Sequence, residues 1–565
     1  MSALQDGASG LDIDMLDGCV KFGKFTTDIE RDMVSRMFKF MKVPIRPLKV
    51  PIPKHIKSSS KAKVVDAHVI LPHEIFGALC QRRELMVKVF GSPADWTAFW
   101  RCSSQEAWFK EHPLVDLLRS CPNRCVPAIV HGDDAQRSRR VGQTIRLLHW
   151  FSPTSRAVDT LQEKIPCTLL DNDDLMSQAQ IALTNRWVVW SFNCASRNLH
   201  PEHDWEGGPL DRRRQEKAGF RIVVIDGEEY YLIYAGSAGD WKWYKEEFHL
   251  QYSYMTSPFI CQICHAMNVG VLNYADARPD APWTGTTRTM LEYRNHLVAI
   301  GQDPDLSHFI GWHTQSLYED WVHDNLLGLG QCVAGSALVT LAREGVWGPG
   351  PDHGPWQSRL NARLLLAWQE LHRWVRPTGA YCSQGKFSCL GLSMHRLRDW
   401  PELKGKAHNT QMVICWLAEV SEREAVSTGH ALARQRATML WGFKSSWEII
   451  NDIRPRFFLT MAERDKLEEA RCASLLCLHH LSLTAAHNHE YNWKLIPKFH
   501  KLDHLFRRSV RTGISPSTYW TFKSEHFVGV VARVSARVHA SSLCRNAVSR
   551  WLLHFWVAVT EGDDD

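Results

Sequence analysis

At 565 residues the chain is too long for one hydrophobic core of ordinary size, and it predicts two to four domains or one core carrying large insertions. A hydrophobic fraction of 44% with 24 Trp excludes a mainly disordered chain. The net charge of +6 is far from a histone-like tail, yet it permits a nucleic-acid partner through a local groove.

Residues 1–64 read as a polar tail, a short helix over 25–42 and a basic linker. The linker segment VPIRPLKVPIPKHIKSSSKAK joins four Pro to a Ser run. The tail has no charged region followed by an apolar one, so no secretory signal is expected. Residues 65–125 have helical spacing and include the aromatic stretch DWTAFWRCSSQEAWF. From 126 to 284 the texture becomes β-rich. VPAIVHGDD, IRLLHWFS, RWVVWSFN, FRIVVIDG and EYYLIYAG are the strand candidates, with a helix or two around 171–185. Residues 285–490 read as mainly helical, and 491–565 as a further helical part that completes the core. The longest apolar runs, 335–341 and 551–559, fall short of the roughly 20 residues a membrane helix needs. A soluble protein without a membrane partner is expected. Sixteen Cys without a regular framework fit a reducing, intracellular compartment.

Six places carry candidate chemistry. Asp133, with Asp134 beside it, follows a strand candidate, where a carboxylate is either held toward a crevice or satisfied within a turn. Asp240 follows another strand and a Gly, and either faces the same crevice or caps a helix beginning at WKWYKEEF. CQICH places Cys261 and Cys264 at the spacing of two zinc thiolates, with His265 adjacent, or packs them as buried thiols. Asp320 and His323 stand three apart on one helical face, a metal pair or a solvated pair. In PKFHKLDHL, His500, Asp503 and His504 converge on one face, as ligands or as a His–Asp structural pair. Glu525 opens a helical pattern whose stripe is Phe527, Val528, Val531 and Val534; it is a dipole-favoured first-turn acid or the last carboxylate of a metal site.

The order of these motifs resembles the CACTA-type DDE transposases, most closely the divergent transposon-derived proteins of protists, from about residue 126 to 540. It rests on GDD after a strand, a strand–GD–C-x-x-C block, D-x-x-H before a Gly-containing apolar helix, PKFHKLDHL and YW-x-F-x-x-E-x-F-V-G. The resemblance implies an α/β (α+β) fold: a ribonuclease-H-like mixed sheet core with a large helical insertion and helical N- and C-terminal regions. It implies that Asp133, Asp240 and Glu525 are the catalytic acids. Together they would hold two Mg²⁺ or Mn²⁺ ions for DNA strand cleavage and strand transfer. Asp320 stands in reserve as second acid. Cys261 and Cys264 match the family's C-x-x-C or C-x-x-H signature; the metal reading of CQICH is a Zn²⁺ site of Cys261, Cys264 and His265 with a fourth ligand left open. The implied partners are transposon ends and target DNA in the nucleus, with homo-oligomerisation open. Lys242, Trp243, Lys245, Arg507, Arg508 and Arg511 would line the DNA path. DRRRQEK (211–217) is a weak import signal. Two departures stand out: Val322 replaces the Met of the family's D-x-M-H, and Ser524 and His526 flank Glu525 where relatives carry Asp. The alternatives are a DNA- or chromatin-binding protein of the same ancestry without catalysis, and a zinc-stapled helical scaffold.

Overall fold

The computed structural model describes residues 35–55, 62–136, 144–171, 178–252, 257–349, 351, 353–452, 456–536 and 543–560. The expected N-terminal tail lies outside them.

The Pro-rich segment is not a linker. It forms β1 (Leu48–His55), paired antiparallel with β2 (Ala62–Val69), Leu48 opposite Val69. Val50, Ile52, Ala67 and Val69 are buried. Among the described residues these two strands form a sheet of their own, so Pro51 and Pro53 sit in an edge strand, where a missing N–H is tolerated.

After helices that begin at Pro72 come β3 (Cys125–Gln136), β4 (Thr144–Phe151) and β5 (Ile165–Asp171), an antiparallel meander. The segment RWVVWSFN lies within the Gln178–Arg197 helix, not in a strand. Its Val188, Val189 and Phe192 are buried, and the helix packs on the strand Tyr231–Ala238. FRIVVIDG contributes only a two-residue strand, β6 (Val224–Ile225), turned back on β7 (Glu228–Glu229). EYYLIYAG becomes β8 (Tyr231–Ala238), parallel to β3, and β9 (Leu317–Tyr318) pairs parallel with β8. The result is a five-stranded mixed sheet in the order β5-β4-β3-β8-β9. Helices cover it, among them Pro93–Ser103 and Phe522–Ala536 against β3 and Leu543–Thr560 against β5. That cover explains why β3 is buried at each of its first eight positions rather than alternately.

A second hydrophobic core is helical. It is built from Gly330–Arg343, Trp356–Val375, Ala407–Thr428, Ala431–Asp452, Met461–His487 and Lys498–Thr512. Residues 322–343 are long and apolar enough to cross a membrane by length and composition, a longer run than the sequence reading picked out. Yet 83% of the apolar window is buried inside the protein, as in a core helix. The described residues thus form a mixed α/β structure with two large hydrophobic cores and a small third one around Cys261 and Cys264.

Candidate metal centres

The parallel pairing of β3 with β8 ends at His131 opposite Ala238. Asp133 and Asp240 each follow two residues later, so they leave adjacent strands at the same edge of the sheet. Asp133 remains inside β3, opposite Leu147 of β4, rather than in a turn. Asp240 caps the Trp241–Phe248 helix, accepting from Trp243 N–H at 2.6 Å. The helix-capping expectation for Asp240 is thus met, and the cap holds its side chain near the strand end.

Trp243 accounts for the glycine before each acid. A methyl group at Gly132 would overlap its indole, and one at Gly239 would lie 2.6 Å from Trp243 Cε3. The ring is buried across both strand ends, stacked near His131 at 6.4 Å. Gly132→Ala should therefore cost about 1–3 kcal/mol by overpacking. Thermal unfolding checks this, and Gly132→Ala should cost less in a Trp243→Ala chain than in the wild type, since the two changes share one contact.

Glu525 arrives on the Phe522–Ala536 helix, which presses Phe527, Val528 and Val531 into the sheet core. Its placement depends on Asp320, which is buried. Asp320 accepts from Thr521 N–H at 2.9 Å and Thr521 Oγ1 at 2.7 Å, which ties down the turn before Glu525. It also accepts from His323 N–H at 3.0 Å and meets His323 Nδ1 at 2.7 Å. With both oxygens engaged, Asp320 organises Thr521 and His323 around it. His323 sits at the start of a segment (Val322–Leu329) with widened helical turns, and its Nε2 lies 3.5 Å from Glu525 Oε1.

The charges of Glu525 and Asp240 both act on Asp133. Burial pushes the Asp133 carboxyl up, and the charges of Glu525 and then Asp240 push it further, to about 8. Glu525 is also raised, by burial and by Asp320 and Asp240, with His323 opposing. Burial would lower His323, but its hydrogen bond and charge pairing with Asp320 outweigh this, and with Glu525 and Asp240 they lift it to about 9. Asp133 and Glu525 are thus held back from ionising, and carboxylate oxygens are the donors a hard divalent cation prefers. Asp134, by contrast, is drawn to Lys242 at 3.4 Å and Arg146 at 3.9 Å.

A second cluster lies nearby. Cys261, Cys264, His500 and His504 bring their ligand atoms within 4.8 Å of one another and could hold a metal ion such as zinc. Tetrahedral zinc, with Zn–S of 2.3 Å and Zn–N near 2.0 Å, requires S···N edges of about 3.5 Å. The observed edges are 3.5 Å (Cys261–His504), 3.2 Å (Cys264–His500) and 3.3 Å (Cys264–His504). The thiols sit on a tight loop in which Ile263 N–H reaches Cys261 Sγ at 3.2 Å, and Arg288 Nε donates to the carbonyls of Cys261 and Cys264. The imidazoles stand one turn apart on the Lys498–Thr512 helix, against Trp283.

His265 is not among these four. It turns away to Glu292, 3.0 Å from Nε2, and the two histidines of PKFHKLDHL take the remaining positions. Asp503 is no ligand in this cluster; its Oδ1 accepts from Arg471 and Arg507. Of the basic residues, Lys242, Lys245 and Arg511 are exposed. Arg507 also reaches the carbonyl of Arg278, Arg511 pairs with Glu106, and Arg508 is buried on Glu106 and over the Tyr318 ring.

Compared with known proteins, the chain matches no protein-family profile and no curated sequence.

Proposed function

We propose that the protein is a transposase-like enzyme that cleaves DNA strands and joins them to target DNA by a two-metal DDE mechanism, acting in the nucleus. Two observations support this reading: Asp133 and Asp240 each lie two residues past the last pair of adjacent parallel strands, and the charges of Glu525 and Asp240 both act on Asp133. A meander continued by two parallel strands also suits a ribonuclease-H-like core.

Asp133, Asp240 and Glu525 would hold two Mg²⁺ or Mn²⁺ ions, which supply an activated attacking oxygen and a stabilised leaving oxygen. The protein's own part is positional. The sheet fixes Asp133, the capping bond fixes Asp240, and the Asp320–Thr521 bonds fix the start of the helix that carries Glu525. His323, oriented by Asp320, steadies the Glu525 carboxylate. Lys242 and Lys245, exposed on the helix that Asp240 caps, would meet the strand's phosphates. The Cys261–Cys264–His500–His504 cluster would hold a structural Zn²⁺.

DNA binding without cleavage is a second reading with its own support. Ser524 is turned inward toward His149 and His526 toward Thr160, so neither neighbour of Glu525 adds an oxygen to the site. Nicking of supercoiled DNA with Mg²⁺ or Mn²⁺ separates the two. The enzyme reading predicts nicking by the wild type that Asp240→Asn and Glu525→Gln abolish. Salt-sensitive binding with no nicking would replace it by the second reading, and the absence of any DNA affinity would remove both.

A further inference from the structure

A cavity of about 280 Å³ opens beside the start of the Phe522–Ala536 helix. Lys523 lines it, while Glu525, two positions on, serves the carboxylate cluster; residues so spaced on a helix face different sides. Among the described residues, three cations face this space, Arg156, Lys164 and Lys523, and a single carboxylate, Glu163.

The charge balance inside it is uneven. Lys164 is 1% exposed, lies over the Phe151 ring at 3.1 Å and pairs with Glu163 at 2.7 Å. Lys523 pairs with the same carboxylate. Arg156 is matched separately by Asp95, at 2.8 Å. Among the described residues, one carboxylate shared between two ammonium groups leaves one positive charge without a counter-charge of its own, Lys523 being further bonded only to the Ala157 carbonyl at 3.3 Å. A buried charge is costly without a full partner, and burial draws Lys164 down to about 8 even with Glu163 beside it. Ser155 accepts from Ala157 N–H, which leaves its own O–H to donate. Trp520 and Phe457 supply apolar wall beyond the charged end.

We propose that this cavity is a phosphate-binding subsite, taking the phosphate group of a free phosphate or of a nucleic-acid strand between Lys164 and Lys523. An entering phosphate supplies the missing negative charge and accepts from both ammonium groups. The volume leaves room against Trp520 for a sugar or base attached to it. The subsite does not require the carboxylate cluster to be catalytic.

Binding without added divalent cation tests it. The probes are inorganic phosphate, followed by ³¹P line broadening, and a short single strand with or without a 5′-phosphate, followed by anisotropy. Lys523→Gln, a change at a partly exposed position, should weaken binding of the phosphate-bearing probe about tenfold, the scale of one charge-assisted hydrogen bond. Lys164→Gln should weaken it at least as much, with thermal unfolding as a check on its fold. Glu163→Gln should strengthen it, because the competing carboxylate charge is gone. Preference for the 5′-phosphorylated strand identifies a strand phosphate, and equal broadening of inorganic phosphate identifies a free one; either supports the subsite. Binding unchanged in Lys523→Gln and Glu163→Gln, or no binding by the wild type, overturns it. Cleavage is not read in this assay, so failure here leaves the carboxylate reading standing.

Discussion

Asp133→Asn is expected to lower metal-dependent DNA cleavage by about 10³-fold or more, as loss of a charge-stabilising group at the reacting centre does. It should leave the metal-free protein at least as stable as the wild type at pH 8. The second half follows from the crowding of carboxylates. An unfolded Asp titrates near 3.9, whereas folded Asp133 titrates at about 8 because burial and the charges of Glu525 and Asp240 oppose its ionisation. Between those two values the folded chain binds the extra proton. Its contribution to stability is therefore present below pH ~4 and is lost as pH rises through about 8. An amide in place of the carboxylate removes that loss. A divalent cation offsets it too, so Mg²⁺ should raise the melting temperature more at pH 8 than at pH 5. Thermal melts of both proteins across this range, beside a nicking assay, check the pair. A variant that loses stability at pH 8, or one that keeps cleaving, contradicts the assignment.

Cys264→Ser and His504→Ala should each release one equivalent of zinc and destabilise the protein by several kcal/mol, since binding energy at such a site is largely folding energy. The cost is high here because the ligands join distant parts of the chain. Cys264 and His500 are 236 residues apart, and the loop around Cys261 has only a small core, with Ile260, Ala266, Ala281 and Trp283. Loss of zinc should also reach the acids. Gln262, between the thiols, donates to Glu319 at 2.7 Å, and Glu319 adjoins Asp320. Lys501, next to His500, reaches Glu319 at 3.3 Å and lies 3.7 Å over Trp241, which adjoins Asp240. Cleavage should therefore fall along with stability. Metal analysis and melting curves settle the matter: a Cys264→Ser protein with undiminished zinc and an unchanged melting temperature refutes the site.

The sequence makes some of this legible and hides the rest for physical reasons. VPAIVHGDD and EYYLIYAG read as strands because β-branched and aromatic runs end in Gly-containing segments, and both are strands. RWVVWSFN has the same composition but forms a helix, since a short apolar run looks alike in a buried strand and a buried helix. The β1–β2 hairpin is masked by Pro51 and Pro53, which an edge strand accommodates. The C-x-x-C and the H-x-x-x-H are each visible as half a zinc site. Only the fold joins them, so adjacency along the chain misleadingly favours His265 over His500 and His504. The part of Trp243 is unreadable in advance: Gly132 and Gly239 look like turn glycines until one indole is seen to cover both.

The most direct test of the central claim is an anomalous-diffraction map from crystals grown with Mn²⁺ near pH 8. The account predicts two manganese peaks about 4 Å apart, bounded by Asp133, Asp240 and Glu525 and separate from a zinc peak among Cys261, Cys264, His500 and His504. A zinc peak with no manganese between the three carboxylates would contradict the two-metal mechanism and leave a zinc-stabilised DNA-binding protein in its place.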